Sequence, residues 1–149
     1  MVQILGAVMN GYELVVEATS TYLYHSSNIQ GIKILEVMTL TSSSRLPGKF
    51  VYASNDLAYA SAFCFRWEDR DGVDVKKRGN IYTIEIPRKL KSRTLQPASM
   101  YILHGSTFKD ANPKGLEFVS RVPVKPLKET RYDTALKCMS DNDLKVKWI

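Results

Sequence analysis

The stretch FVYASNDLAYASAF (50–63) gives the clearest local prediction about how this chain folds. Its first four residues are aromatic, β-branched or small, which is typical of a short buried strand. Residues 54–56, Ser-Asn-Asp, carry side chains that accept hydrogen bonds from the free backbone N–H groups at the start of a helix. The Ala-rich residues 57–65 that follow favour the helix itself. We therefore predict a strand that passes through a polar turn into a helix.

Strand patterns dominate the sequence on both sides of this unit. Short runs rich in β-branched and aromatic residues, some of them alternating, predict strands at 12–18, 21–25, 81–86, 99–103, 116–119 and 144–149. Helices are predicted at 29–38 and 134–139, and a hairpin or loop at 68–80. Because strands outnumber helices and the βαβ alternation is not regular, the sequence favours an α+β fold.

Length and composition limit the class of protein. The chain has 149 residues with 44% hydrophobic and 24% charged side chains, which is typical of a globular protein and excludes disordered and collagen-like classes. This length predicts a single domain over residues 1–149 with a core that needs neither metal nor disulfide. Lys and Arg number 21 against 15 Asp and Glu, and the resulting charge of +6 favours an anionic partner.

The few cysteines and histidines narrow the chemistry. Cys64 and Cys138 are far apart in sequence and form no CxxC pair, so neither a disulfide framework nor a metal site is expected.

Residues 1–9 are apolar but lack the basic start of a signal peptide, and no apolar run is long enough to span a membrane. We expect a cytoplasmic protein with no membrane partner. A histidine-based mechanism would have to use His25 or His104.

Four residues are candidates for a functional site. His25 lies where a predicted strand meets a polar turn, a place where sites are often built, although a structural histidine is the commoner interpretation. Tyr52 and Phe63 are eleven residues apart, so two rings on a strand and a helix can sandwich a flat heterocycle; an ordinary aromatic core pair is the alternative. Glu117 lies between apolar residues in a predicted strand, so it faces either solvent or a cleft.

The order of these residues resembles the His–Tyr–Glu arrangement of the ADP-ribosyltransferase superfamily, in its diphtheria-toxin and poly-ADP-ribose-polymerase branch. YHSSNIQGIKIL (24–35), FVYASNDLAYASAF (50–63) and GLEFVS (115–120) are similar to that branch's three motifs, and the resemblance covers residues 22–121. Small bacterial rifampicin ADP-ribosyltransferases are also similar. Two departures stand out: Ser26 replaces the usual Gly, and Gly115 argues against the arginine-modifying toxins.

The resemblance implies an ADP-ribosyltransferase-like fold of two small packed antiparallel sheets with short helices, and NAD as the substrate bound between the sheets. The residues implied to bind NAD are Tyr24, His25, Ser26, Tyr52 and Phe63. Glu117 is implied as the catalytic acid, with Glu85 and Asp110 as rival carboxylates. Glu117 would stabilise the positive charge that develops on the ribose when nicotinamide leaves. The acceptor of ADP-ribose is a protein, a nucleic acid or a small molecule.

The sequence leaves two alternatives open. An RNA 2′-phosphotransferase shares the fold, and the basic residues within 88–93 favour it, although a solvated surface explains them as well. A catalytically inactive nucleotide-binding module also keeps the fold, because fold alone does not determine activity. Ser26 and the unsettled third acid favour this second alternative.

Overall fold

A computed structural model describes residues 21–38, 48–111 and 116–149. Its strands are β1 (Tyr22–Ser27), β2 (Val51–Ser54), β3 (Asp74–Arg78), β4 (Ile81–Ile86), β5 (Ala98–His104), β6 (Phe108–Asp110), β7 (Glu117–Ser120), β8 (Lys128–Tyr132) and β9 (Leu144–Trp148). Its α-helices are α1 (Leu57–Ser61), α2 (Lys91–Thr94) and α3 (Ala135–Asp141). Single 3-10 turns lie at Asp69–Asp71, Arg88–Leu90 and Gly105–Thr107. The strand predicted at 12–18 lies outside the described residues.

The strands form two sheets, as expected for the α+β class. The larger sheet has six antiparallel strands in the order β6-β7-β2-β1-β5-β8. The smaller sheet has the order β3-β4-β9 and is not wholly antiparallel, because β4 and β9 run parallel. Parallel neighbours need a long crossover connection, and here the chain from 87 to 143 supplies it. The expectation of antiparallel pairing therefore holds for the large sheet and for the β3–β4 hairpin.

The large sheet has two different faces, because side chains alternate along each strand. On the helix face, Ala98 and Met100 of β5 join the core that packs against α1, α3 and the small sheet. On the opposite face, which we call the loop face, Leu23 and Tyr101 are buried beneath residues 29–38. Cross-strand partners share a face. The pairing registers therefore assign each remaining strand residue of the large sheet to the helix face or to the loop face.

Most of the predicted elements are confirmed. Strands occupy the predicted positions at 21–25, 50–53, 81–86, 99–103, 116–119 and 144–149 within one or two residues, and the helix at 134–139 continues to Asp141. The polar stretch 68–80 contains a 3-10 turn and then β3, which forms a hairpin with β4. The helix predicted over 57–65 ends at Ser61, after which the chain makes tight i→i+3 turns.

The helix predicted over residues 29–38 is wrong. This segment has no helical residue and instead crosses the loop face, making isolated antiparallel bridges at Leu35 and Met38. Gly31 adopts a left-handed φ of 76°, which breaks a helix. Ile32, Leu35 and Val37 pack on the loop face, so the apolar residues that resemble a helical stripe are buried by an extended chain.

Candidate functional site

The short helix α1 is fixed above the helix face by hydrogen bonds at its start and on its underside. The side chain of Asp56 accepts from the backbone N–H of Tyr59 over 3.0 Å, which is the N-cap expected from the sequence. Ser26 of β1 is buried, and its hydroxyl donates to the carbonyl of Ala60. The helix is therefore held directly over the strands that carry the candidate residues.

Glu117 meets this helix through Tyr59. The Tyr59 phenol donates a hydrogen bond of 2.5 Å to Oε2 of Glu117, which lies on β7 opposite Ser54. Burial, and then the Glu117 carboxylate itself, raise the pKa of Tyr59 well above its usual value of 10.0. The phenol therefore remains a donor at physiological pH and holds one oxygen of the half-buried carboxylate in place.

The registers place most of the sequence-predicted residues on one face. Ser54 pairs with both Tyr24 and Glu117, so these side chains form one row across three strands of the helix face. Tyr52 lies one pleat further along the same face, opposite Val119. A carboxylate, its phenol donor and two tyrosines therefore share the side of the sheet that α1 partly covers.

His25 lies on the other side of the sheet. It pairs with Tyr101, whose side chain is buried on the loop face, and the two rings are 6.4 Å apart. Nδ1 of His25 lies 2.6 Å from the carbonyl oxygen of Tyr52. Since a carbonyl only accepts, Nδ1 carries the proton. This bond joins β1 to β2 beyond their one paired position, Tyr24–Ser54, and burial lowers the pKa of His25 below 6.5, so the ring is neutral at pH 7.

Tyr52 and Phe63 each contact other rings. Tyr52 packs edge-to-face on Phe50 with centroids 5.9 Å apart. Phe63 stacks on Trp67 at 5.6 Å with an interplanar angle of 16° and contacts Tyr59 edge-on at 5.5 Å. The Phe63 side chain is nonetheless 42% exposed, so part of its ring is open to a ligand beside the Tyr59–Glu117 pair.

The rival carboxylates are placed elsewhere. Glu85 lies on β4 and forms ion pairs with Lys76 at 3.2 Å and Lys147 at 3.9 Å on the outer face of the small sheet. Asp110 pairs with Phe118, whose side chain packs against the loop-face core, so its own side chain points away from Glu117. The remaining histidine, His104, accepts from the N–H of Ser106 and caps a 3-10 turn.

Tyr59 is in direct contact with the candidate carboxylate, but it is not among the site residues predicted from the sequence. A signal for it is present, because Tyr59 and Phe63 are four residues apart and would share one side of a helix. That spacing predicts that Tyr59 lies near any site that Phe63 lines. Its partner Glu117 is 58 residues away, and only the register of the sheet brings the two together.

Comparison with known proteins identified no protein similar to this chain. No protein family model, no curated protein and no solved structure matches this chain. Within residues 21–38, 48–111 and 116–149, no cluster of three or more His, Cys, Asp or Glu side chains is arranged to hold a metal ion. No helix in these same ranges combines the length and the apolar character needed to cross a membrane.

Proposed function

We propose that this protein is an NAD-dependent ADP-ribosyltransferase that uses Glu117 as its catalytic carboxylate. The observation that supports the proposal best is the Tyr59–Glu117 hydrogen bond of 2.5 Å on the same sheet face as Tyr24 and Tyr52. A fixed carboxylate beside aromatic side chains suits a substrate with a flat ring attached to a ribose. Such a reaction is consistent with a cytoplasmic location, where NAD is present.

The proposed reaction breaks the bond between C1′ of the ribose and the nicotinamide nitrogen. The bonding electrons leave with nicotinamide, which departs neutral, and positive charge develops on the ribose as in glycoside cleavage. A nucleophilic oxygen or nitrogen of the acceptor then forms the new bond to C1′ and loses its proton. With Oε2 occupied by Tyr59, Oε1 of Glu117 would accept a hydrogen bond from the ribose 2′-OH and stabilise the developing charge.

The other residues of the proposed site have distinct tasks. Tyr24 and Tyr52 would contact the nicotinamide from the sheet, and the exposed part of Phe63 would contact it from the turn that follows α1. The hydroxyl of Ser26 is occupied by Ala60, so only its backbone would meet the nicotinamide amide. Because its Nδ1 binds the Tyr52 carbonyl, His25 would act by positioning Tyr52 from behind the sheet.

Two measurements on the same sample test the proposal. NAD labelled in its nicotinamide ring is incubated with the protein, and released nicotinamide is separated and counted. In parallel, the melting temperature is measured with increasing NAD, since a ligand at 100 times its Kd stabilises a protein by about 2.7 kcal/mol. The proposal predicts nicotinamide release and a concentration-dependent rise in melting temperature. Absence of both would contradict it.

A further inference from the structure

Two cations lie on the helix face beyond Glu117. Lys109 of β6 pairs with Val119, so it shares the face of Val119 and Tyr52. Arg121 lies in the bend that directly follows β7, and its side chain contacts the ring of Phe50, which packs on Tyr52 of the same face. At about 3.4 Å per residue, Val119 lies about 7 Å along β7 from Glu117, and Arg121 lies beyond the end of that strand. Both cations belong to exposed residues.

Arg121 is held by an aromatic platform. Its guanidinium carbon lies 4.9 Å from the centroid of the Phe50 ring, and Phe50 is only 1% exposed. The same Phe50 ring packs against Tyr52. A guanidinium that lies over an aromatic ring can still donate N–H groups to an oxyanion, and its planar fork of donors matches the geometry of phosphate.

We propose that Lys109 and Arg121 bind the diphosphate of the dinucleotide whose ribose meets Glu117. Lys109 lies opposite Val119, and Arg121 follows Val119 by two residues, so the long side chains of the two cations can converge on two adjacent phosphate groups. In NAD the diphosphate is joined to the 5′-carbon of the same ribose that carries nicotinamide, so it must lie close to the catalytic carboxylate but not on it. The assignment rests on the proposed function, because it uses Glu117 to orient the ligand.

The test measures ADP binding, since ADP carries the diphosphate but no nicotinamide ribose. Isothermal titration calorimetry compares the wild type with a variant carrying both Lys109→Gln and Arg121→Gln. We expect the affinity for ADP to fall at least tenfold and its dependence on salt to become weaker, because fewer phosphate charges are neutralised by the protein. A control with Lys145→Gln and Lys147→Gln removes the same charge from the small sheet and should bind ADP as the wild type does.

Further variants separate this inference from its alternatives. Lys109→Gln alone changes an exposed residue of an edge strand and should weaken ADP binding without altering the melting temperature. If Arg121 only covers Phe50, the double variant lowers the melting temperature and leaves ADP affinity unchanged, which overturns the inference. Failure of the wild type to bind ADP overturns it too. ADP binding that needs Lys109 and Arg121, without any nicotinamide release from NAD, supports the diphosphate site and contradicts the proposed function.

Discussion

Tyr59 donates a 2.5 Å hydrogen bond to Glu117 across 58 residues of sequence, and this bond joins helix α1 to strand β7. The helix is tied to β1 as well, through the hydroxyl of Ser26. Consequently the helix that orients the candidate carboxylate is hydrogen-bonded to two strands, β1 and β7. A short bond between a neutral donor and a charged acceptor is among the stronger hydrogen bonds in proteins.

Replacing Tyr59 by Phe should reduce catalysis more than it reduces stability. The substitution removes one hydroxyl and keeps the ring that packs on Phe63. A hydrogen bond to a charged group contributes about 1.5–3 kcal/mol, so we expect nicotinamide release from NAD to slow by on the order of tenfold or more. The matched control is Tyr132→Phe, whose hydroxyl takes a longer bond of 3.4 Å from Asn142 outside the proposed site. Equal rates in the two variants would argue against a positioning role for Tyr59.

The stability of the fold should fall between pH 7.5 and 5.5 because of His25. Burial lowers its pKa in the folded state below the unfolded value of 6.5, so its contribution is complete above pH 6.5. As the pH falls, His25 binds a proton more readily in the unfolded chain than in the folded chain, so the free energy of unfolding decreases. Urea denaturation at the two pH values measures this loss.

A His25→Gln variant provides the control for that experiment. Glutamine does not titrate, so the variant should be less stable at pH 7.5 but should lose less stability on going to pH 5.5. Carboxylates whose pKa is lowered by folding stabilise the fold across this whole pH range. Their contribution changes only at lower pH, because the unfolded pKa values of Asp and Glu are 3.8 and 4.5. If His25→Gln loses as much free energy of unfolding between pH 7.5 and pH 5.5 as the wild type does, another group causes the loss.

Glu129 should stabilise the segment that crosses the loop face. Its Oε2 accepts from the N–H of Gly31 at 2.8 Å, the hydroxyl of Ser99 at 2.7 Å and the phenol of Tyr101 at 3.2 Å. Burial opposes ionisation, but these donors and Arg131 outweigh it and lower the pKa of Glu129. We expect Glu129→Gln to cost about 1–3 kcal/mol, the usual effect of weakening a partly buried network, as measured by urea denaturation at pH 7.

The pH dependence of this effect has a definite sign. Because the folded pKa of Glu129 is lowered, its stabilisation is present above pH 4.5 and is lost as the pH falls through the folded value. The variant should therefore approach the wild type in stability under acid conditions. Asp141→Asn is the control, since its side chain is 40% exposed and pairs with Lys137 at 2.9 Å, and an exposed ion pair of this kind contributes little. A comparable loss in both variants would contradict the special role of Glu129.

The residues around Asp56 show what local sequence can predict. The strand, the polar turn and the helix start of 50–63 all follow from side chains within a few positions of one another, and the structure confirms them. The segment 29–38 shows the limit, since its apolar spacing fits a helix but also fits an extended chain packed on a sheet. Gly31 in a left-handed conformation, held by Glu129 from 98 residues away, decides between the two.

The candidate site is also predictable only in part, because contacts between residues far apart in sequence determine the rest of it. The prediction that Tyr52 lies on a strand is confirmed, whereas the prediction that Phe63 lies on the following helix is wrong. However, α1 ends at Ser61, so Phe63 lies in the following turn and stacks on Trp67. Neither the length of the helix nor the stacking partner follows from the sequence within 50–63. The face of the sheet that His25 occupies depends on its register with Tyr101, which is also a long-range property.

The most direct test of the central claim is nicotinamide release from NAD by the wild type, Glu117→Gln and Glu85→Gln. Glutamine can still accept the Tyr59 hydrogen bond, so Glu117→Gln should fold normally while losing the charge that stabilises the transition state. We predict release by the wild type, a rate about 10²–10³ lower in Glu117→Gln, and a wild-type rate in Glu85→Gln. Equal rates in the wild type and Glu117→Gln, or no release by the wild type, would contradict the account.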